Sequence, residues 1–180
     1  VSGSLWKDAL VMYDRQTRSL WTHVAGECIE GRLVGKRLAA LPATMTTFRD
    51  WVAQHPKTLV LVKGPGEGMS SRYRDYVSSD QQGIFGTLAK RAELNPKEIV
   101  QGVAIDGEAA AIPVAACREG APVRFKLKDR RFVALKVGGA AKIYESGSEN
   151  DTPDMTKEVP STTAYWFAWL NFFPKSRVIR

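Results

Sequence analysis

Two separated stretches of this chain carry one pattern, and that repetition constrains the fold more than any other feature. Trp51-Val52-Ala53-Gln54-His55-Pro56-Lys57-Thr58-Leu59-Val60-Leu61 aligns with Trp169-Leu170-Asn171-Phe172-Phe173-Pro174-Lys175-Ser176-Arg177-Val178-Ile179. In each, Trp precedes Pro by five positions, and Pro-Lys-[Thr/Ser]-x-Val-[Leu/Ile] follows. A proline disfavours helical geometry in the residue before it, so each copy predicts a short helix, a turn and a strand. The pairs Thr46-Thr47 and Thr162-Thr163 stand ahead of the two helices. A duplicated helix-turn-strand unit implies two related halves, about 1–63 and 99–180, joined by loop 63–98. The expectation is one compact domain over 1–180 with a shared core, in which Trp21, Trp51, Trp166, Trp169 and Phe172 are largely buried.

Hairpin signals fill much of the remainder. Leu10–Tyr13 and the alternating Ser19–Val24 flank a polar turn over Asp14–Arg18. Gly26, Gly31 and Gly35 then offer points where the backbone can take positive φ. Thr47-Phe48-Arg49-Asp50 resembles a capping box and starts a helix that runs to about Gln54. Lys57–Lys63 has the apolar continuity of a buried strand. The polar, Gly-rich stretch 63–82 predicts a long surface loop, and Gly86–Glu93 a short helix. Asp106-Gly107, between Val100–Ile105 and Glu108–Ile112, is the strongest hairpin signal in the chain. Arg124–Lys128 and Phe132–Val137 predict a third hairpin around Asp129-Arg130-Arg131. Residues 145–161 predict a loop, Thr163 onward a helix ending before Pro174, and Arg177–Ile179 a last strand. The predicted fold class is α+β: mainly antiparallel β hairpins with two short Trp-bearing helices.

Composition sets bounds on function. The chain of 180 residues is 44% hydrophobic and 25% charged, an ordinary globular balance. No apolar run approaches the roughly 18 residues of a membrane helix. A net charge of +7 favours solubility without by itself indicating a nucleic-acid partner. Two Cys and two His leave too few ligands for a conventional His/Cys zinc centre, and no metal or other cofactor is expected. The Val at position 1 is that of a processed or truncated product.

The candidate polar site is Asp14, Thr17, Ser19, Trp21 and His23. Its structural reading is an Asx-type turn in which Asp14 accepts from turn amides and the Thr17 hydroxyl. Its functional reading is a small polar pocket walled by Trp21. His23 shares a strand face with Trp21 by the period of two, but no acid cluster or second His stands near it in sequence. His55 has Phe173 as its counterpart in the second copy, which marks a packing position. Ser2, Ser4 and Ser19 lie in no Gly-x-Ser-x-Gly, and Gly64–Gly68 lacks the Gly-Lys-[Ser/Thr] of a phosphate loop, so no catalytic residue is assigned. Cys28 and Cys117 fit buried thiols, or a disulfide in an oxidising compartment. The candidate anion patch is Arg124, Lys126, Lys128, Arg130 and Arg131, with Lys136 beyond. No aromatic interleaves on the face that Arg124, Lys126 and Lys128 share, which argues against nucleic-acid readout.

Several of these residues also form a family pattern. Val1-Ser2-Gly3, Leu10-Val11-Met12-Tyr13-Asp14-Arg15-x-Thr17-x-Ser19-Leu20-Trp21, Leu41-Pro42, Trp51 and His55-Pro56-Lys57-Thr58-Leu59-Val60-Leu61 resemble the bacterial and archaeal domain-of-unknown-function family 3179. Leu94-x-Pro96-Lys97-Glu98-x-Val100-x-Gly102-Val103 and Ala164-Tyr165-Trp166-Phe167-Ala168-Trp169 continue the resemblance. Members usually carry a Cys-Pro-x-Cys segment upstream of the Ser-Gly that opens this sequence, and Ile112 stands where an aromatic is usual. The resemblance implies an extracytoplasmic, periplasmic or secreted location. Two functions follow as expectations: a non-catalytic binding or assembly component, with protein partners or self-assembly, or a redox or metal-handling accessory whose reactive cysteines lie in the upstream segment.

Overall fold

The computed structural model describes residues 2–62, 71–83, 86–87, 90–148 and 152–180. The molecule is β-rich, with three short α-helices, and falls in the α+β class predicted from the hairpin signals.

The hairpin of β5 (Ile99–Ile105) and β6 (Glu108–Pro113) lies at its centre. Asp106 and Gly107 turn it with φ of 50° and 83°, the paired positive values that match a two-residue turn to the twist of its strands. Successive side chains of β6 alternate faces, so the hairpin feeds two cores. Val103, Ala110 and Ile112 join Phe125, Leu127, Phe132 and Ile143 on one side. Val100, Ala109 and Ala111 join Trp166, Trp169 and Leu170 on the other, where Ala9 and Val24 from the first part of the chain also pack.

Around the hairpin a four-stranded sheet runs β10-β5-β6-β11, with β10 at Thr162–Tyr165 and β11 at Arg177–Val178. β11 pairs parallel to β6, whereas β10 pairs antiparallel to β5. A three-stranded antiparallel sheet follows β6 through a 3-10 turn over Val114–Ala116: β7 (Val123–Leu127), β8 (Arg130–Val137) and β9 (Ala140–Ser146). The first part of the chain forms a separate four-stranded sheet from β1 (Leu5–Trp6), β2 (Ala9–Asp14), β3 (Ser19–Thr22) and β4 (Cys28–Glu30).

Several local expectations need correction. The β7–β8 turn is Lys128-Asp129, so Arg130 and Arg131 already belong to β8. β9 went unpredicted: Gly138-Gly139, with φ of 56° and 81°, closes a tight turn that leads β8 directly into it. Thr162–Tyr165 is strand rather than helix, its backbone claimed by pairing with β5. The predicted 63–82 loop holds α2 (Ser71–Ser78), while 63–70 lie outside the described residues. Lys97 caps the C-terminal end of α2, its ammonium donating to the carbonyls of Tyr76 and Ser79. Gly86, Thr87 and 90–93 are not helical, and 88–89 lie outside the described residues. Lys57–Val62 forms no strand, because no neighbouring strand accepts it among the described residues.

Candidate functional site

The predicted polar site is a closed turn. The Asp14 carboxylate accepts from the amides of Gln16 at 2.8 Å and Thr17 at 3.4 Å, and also from the Thr17 hydroxyl. Thr17 Oγ1 lies 2.7 Å from Ser19 Oγ, which accepts from the Leu33 amide at 3.3 Å. The Thr17 hydroxyl, and then the Gln16 amide, hold the Asp14 carboxyl below its ordinary value. Ser19 and Trp21 are buried. These donors and acceptors are directed at one another, and the arrangement ties the β2–β3 turn to the chain after β4. His23 stands apart: it is exposed beyond the end of β3 and borders a cleft of about 570 Å³ between residues 37–45 and the β5–β10 edge.

The predicted basic patch divides. Arg130 forms a two-pronged ion pair with Glu145, both contacts at 2.8 Å, and the guanidinium holds the Glu145 carboxyl below its usual range. Lys128 turns to Glu108 at 3.6 Å, and Lys126 reaches Asp129 at 3.8 Å. Arg124, Lys126 and Arg131 border one shallow cavity of about 270 Å³ together with Ser146 and Ser148. Lys136 lies elsewhere, beside Glu98 and Cys117. Cys117 and Cys28 are both buried and unbonded, and burial pushes the Cys117 thiol up to about 11.

The two copies of the Trp-Pro repeat have matching local geometry. α1 (Phe48–Gln54) and α3 (Trp166–Phe172) each span seven residues with the repeat Trp three positions after the first. Thr47 caps α1 by accepting from the Asp50 amide at 3.1 Å, as the capping box predicts. Each helix ends at the residue before proline, His55 at φ −129°, ψ 67° and Phe173 at φ −128°, ψ 68°. The Trp51 indole donates to Thr58 Oγ1 at 2.9 Å, and the Trp169 indole to Ser176 Oγ at 2.8 Å. Ring centroids of Trp51 and His55 lie 4.1 Å apart at 38°; those of Trp169 and Phe173 lie 4.2 Å apart at 34°. Proline five residues after Trp ends the helix, and the hydroxyl two residues later caps the indole. The threonine pairs are placed differently: Thr47 adjoins its helix as the N-cap, whereas Thr162 and Thr163 lie within β10.

Burial separates the copies. Trp166, Phe167, Ala168, Trp169 and Leu170 are buried, and Trp169 lies flat against Gly102, where a Cβ would fall 2.4 Å from the ring. Ser176, which accepts from its indole, is 1% exposed. Around α1 the expectation of a buried Trp fails. Trp51 is 39% exposed and Phe48 62%, while Leu59, Leu61 and Val62 reach 95%, 88% and 84%. α1 is held by its polar side instead: Gln54 Nε2 donates to the Gly138 carbonyl at 2.9 Å, and Thr46 Oγ1 to the same oxygen at 3.4 Å. Trp21 and Trp166 are buried as expected and Phe172 half-buried. The exposed apolar face was missed because Leu59–Val62 has the composition of an interior strand.

Among the described residues, no group of three or more His, Cys, Asp or Glu side chains converges to hold a metal. No helix there is long and apolar enough to cross a membrane. The architecture is thus mainly antiparallel α+β, and two of its helices share one Trp-Pro local geometry. The chain matches the family model described as "Protein of unknown function (DUF3179)" over residues 1–176, and it belongs to that family. Neither a curated protein nor a solved structure matches it.

Proposed function

We propose that this chain is a non-catalytic binding or assembly domain that works outside the cytoplasm. The carrying observation is the apolar face of α1 and the segment after it: Phe48, Trp51, Leu59, Leu61 and Val62 are exposed on consecutive elements. Large apolar side chains left exposed on adjacent elements support an interaction role. Among the polar groups highlighted by sequence, the Asp14 turn is closed on itself, and Arg130 and Lys128 have acidic partners, which favours a structural part for them. The redox alternative finds no support in the two cysteines, since Cys28 and Cys117 are buried and burial pushes the Cys117 thiol up to about 11. The extracytoplasmic placement follows from family resemblance and is tested by fractionating cells that express the natural gene.

The binding reading is tested on residues 1–180 with the double variant Leu59→Ser, Leu61→Ser. The parent is expected to bind a hydrophobic dye and to self-associate in a concentration series by sedimentation, and the variant to do neither at an unchanged unfolding midpoint. A large fall in the midpoint would place both leucines in the domain's own core and overturn the reading.

A further inference from the structure

Among the described residues the fold holds a strand-like segment without an edge and an edge without a strand. In the second unit the residues after Pro174 enter β11, which adds to β6. In the first unit the residues after Pro56 include Leu59–Val62, which are apolar, exposed and paired with no strand there. At the other end of the β11 sheet lies β10, Thr162–Tyr165, with no strand beyond it. We propose that Leu59–Val62 of one copy of this chain adds to the β10 edge of a second copy. This rests on reading the α1 face as a binding surface, and it names the partner and its seat.

Three observations favour that seat. The first is hydrogen bonding. The Trp166 amide donates to the Glu98 carbonyl at 2.8 Å, and the register continues through Ala164 with Val100 and Thr162 with Gly102. Antiparallel pairs alternate, so Thr162 and Ala164 bond inward to β5. Thr163 therefore turns its amide and carbonyl outward, and Tyr165 its amide, and none of the three meets a partner among the described residues. The second is contrast with the other edges, which are blunted by charge or covered. β7 carries Arg124 and Lys126, and Arg177 takes the Lys126 carbonyl. β9 is covered where the Val159 amide donates to Ile143, and β4 where the Cys28 amide donates to Lys36. β10 has four uncharged residues and no such cover. The third is what adjoins the edge. Gly102 and Thr162 are cross-strand neighbours on one face, and both line the cleft of about 570 Å³ with Leu38, Leu41, Met45 and Phe173. A strand laid on β10 extends that face, so alternate side chains of Leu59–Val62 come over an apolar cleft while its backbone meets the free groups. Segment and edge are each four residues long, and one contact between copies satisfies both.

The experiment uses residues 1–180 and two variants of them. Leu59→Ser, Leu61→Ser removes the apolar donor and keeps the edge. Tyr165→Pro keeps the donor and deletes an outward amide, at a residue whose φ of −67° is already the value proline imposes. In sedimentation the parent is expected to associate as concentration rises, and each variant alone to stay monomeric. Their equimolar mixture should form a one-to-one dimer and nothing larger, because one donor and one edge remain. In the associated parent the amides of Thr163 and Tyr165 should exchange about tenfold or more slowly than in the monomer. A Tyr165→Pro that associates as the parent does overturns the inference. So does a mixture that stays monomeric when both variants keep the parent's unfolding midpoint. Unchanged exchange at Thr163 in the associated parent overturns it too, whether or not the proline variant folds. If Leu59→Ser, Leu61→Ser abolishes association and Tyr165→Pro does not, the binding reading survives and the β10 seat does not. A parent that binds the hydrophobic dye and stays monomeric throughout also overturns the inference, and leaves the α1 face to a different protein.

Discussion

The α1 and α3 units pose one local problem and meet two tertiary environments. Both end a seven-residue helix before proline with backbone angles within a degree of each other, and both tie the Trp indole to a hydroxyl seven residues on. Yet one indole is 1% exposed and the other 39%. The difference separates two contributions that are normally entangled. Helix length, cap angles, ring stacking and the indole hydrogen bond come from residues within the motif, because they form with or without a covering sheet. Burial, and most of the free energy it brings, comes from the Gly102 seat and the β6 edge.

Truncating the two tryptophans gives the largest contrast. Trp169→Ala should cost about 3–5 kcal/mol, since it empties a packed site and orphans the buried Ser176 hydroxyl. Trp51→Ala in residues 1–180 should cost less than about 1 kcal/mol, as expected of a surface change. Denaturant unfolding of both variants checks this, and equal losses would mean that α1 is packed in solution. The hydroxyls repeat the contrast on a smaller scale. Ser176→Ala leaves a buried indole N–H without an acceptor and should cost about 1–3 kcal/mol. Thr58→Ala lets water replace the hydroxyl and should cost a few tenths of a kcal/mol, measured in the same unfolding series.

The same separation explains which features were legible in the sequence. The three hairpins and the two Trp helices were, because Asp106-Gly107, the Thr47 cap and the prolines act within a few residues. The Asp14–Thr17–Ser19 turn was legible for the same reason. What failed depended on distant neighbours. Lys57–Val62 has a strand's composition and no strand to pair with, whereas Thr162–Tyr165 beside a helix signal became strand because β5 lay open to it. The patch over Arg124–Arg131 looked uniform until cross-strand register put Glu145 beside Arg130, while Glu108 met Lys128 from another sheet. Register and sheet neighbours are long-range choices, and single-residue periodicity carries no record of them.

A smaller effect belongs to the β2–β3 turn, which like the α1 motif is stabilised from within. The folded-state pKa of Asp14 is lowered chiefly by the Thr17 hydroxyl, so the carboxylate's contribution is complete above its unfolded value, about 3.9. It is lost as pH falls through the lower folded value. Thr17→Val removes the hydroxyl and raises the folded pKa toward the ordinary one. The variant should therefore lose less stability than the parent between about pH 4 and pH 2, and unfolding midpoints across that window measure it. Identical acid limbs would mean that the turn's hydrogen bonds do not persist in solution.

The smallest expected effect is also the closest test of equivalence between the two units. His55 stacks on Trp51 at 4.1 Å, in the place that Phe173 takes beside Trp169. Both residues sit at the helix C-cap, and each donates its backbone N–H to the carbonyl of its Trp, at 2.8 and 3.0 Å. The backbone job is indifferent to the side chain, and the ring job is met by either aromatic. His55→Phe should therefore leave the stability of residues 1–180 within about 0.5 kcal/mol of the parent, the range of ordinary surface changes. His55→Ala should cost up to about 1 kcal/mol, because it removes the stacked ring. Denaturant midpoints of the two variants rank them. A His55→Phe as damaging as His55→Ala would mean that the imidazole contributes through its nitrogens, a duty that Phe173 cannot share, and the two motifs would then be alike in backbone alone.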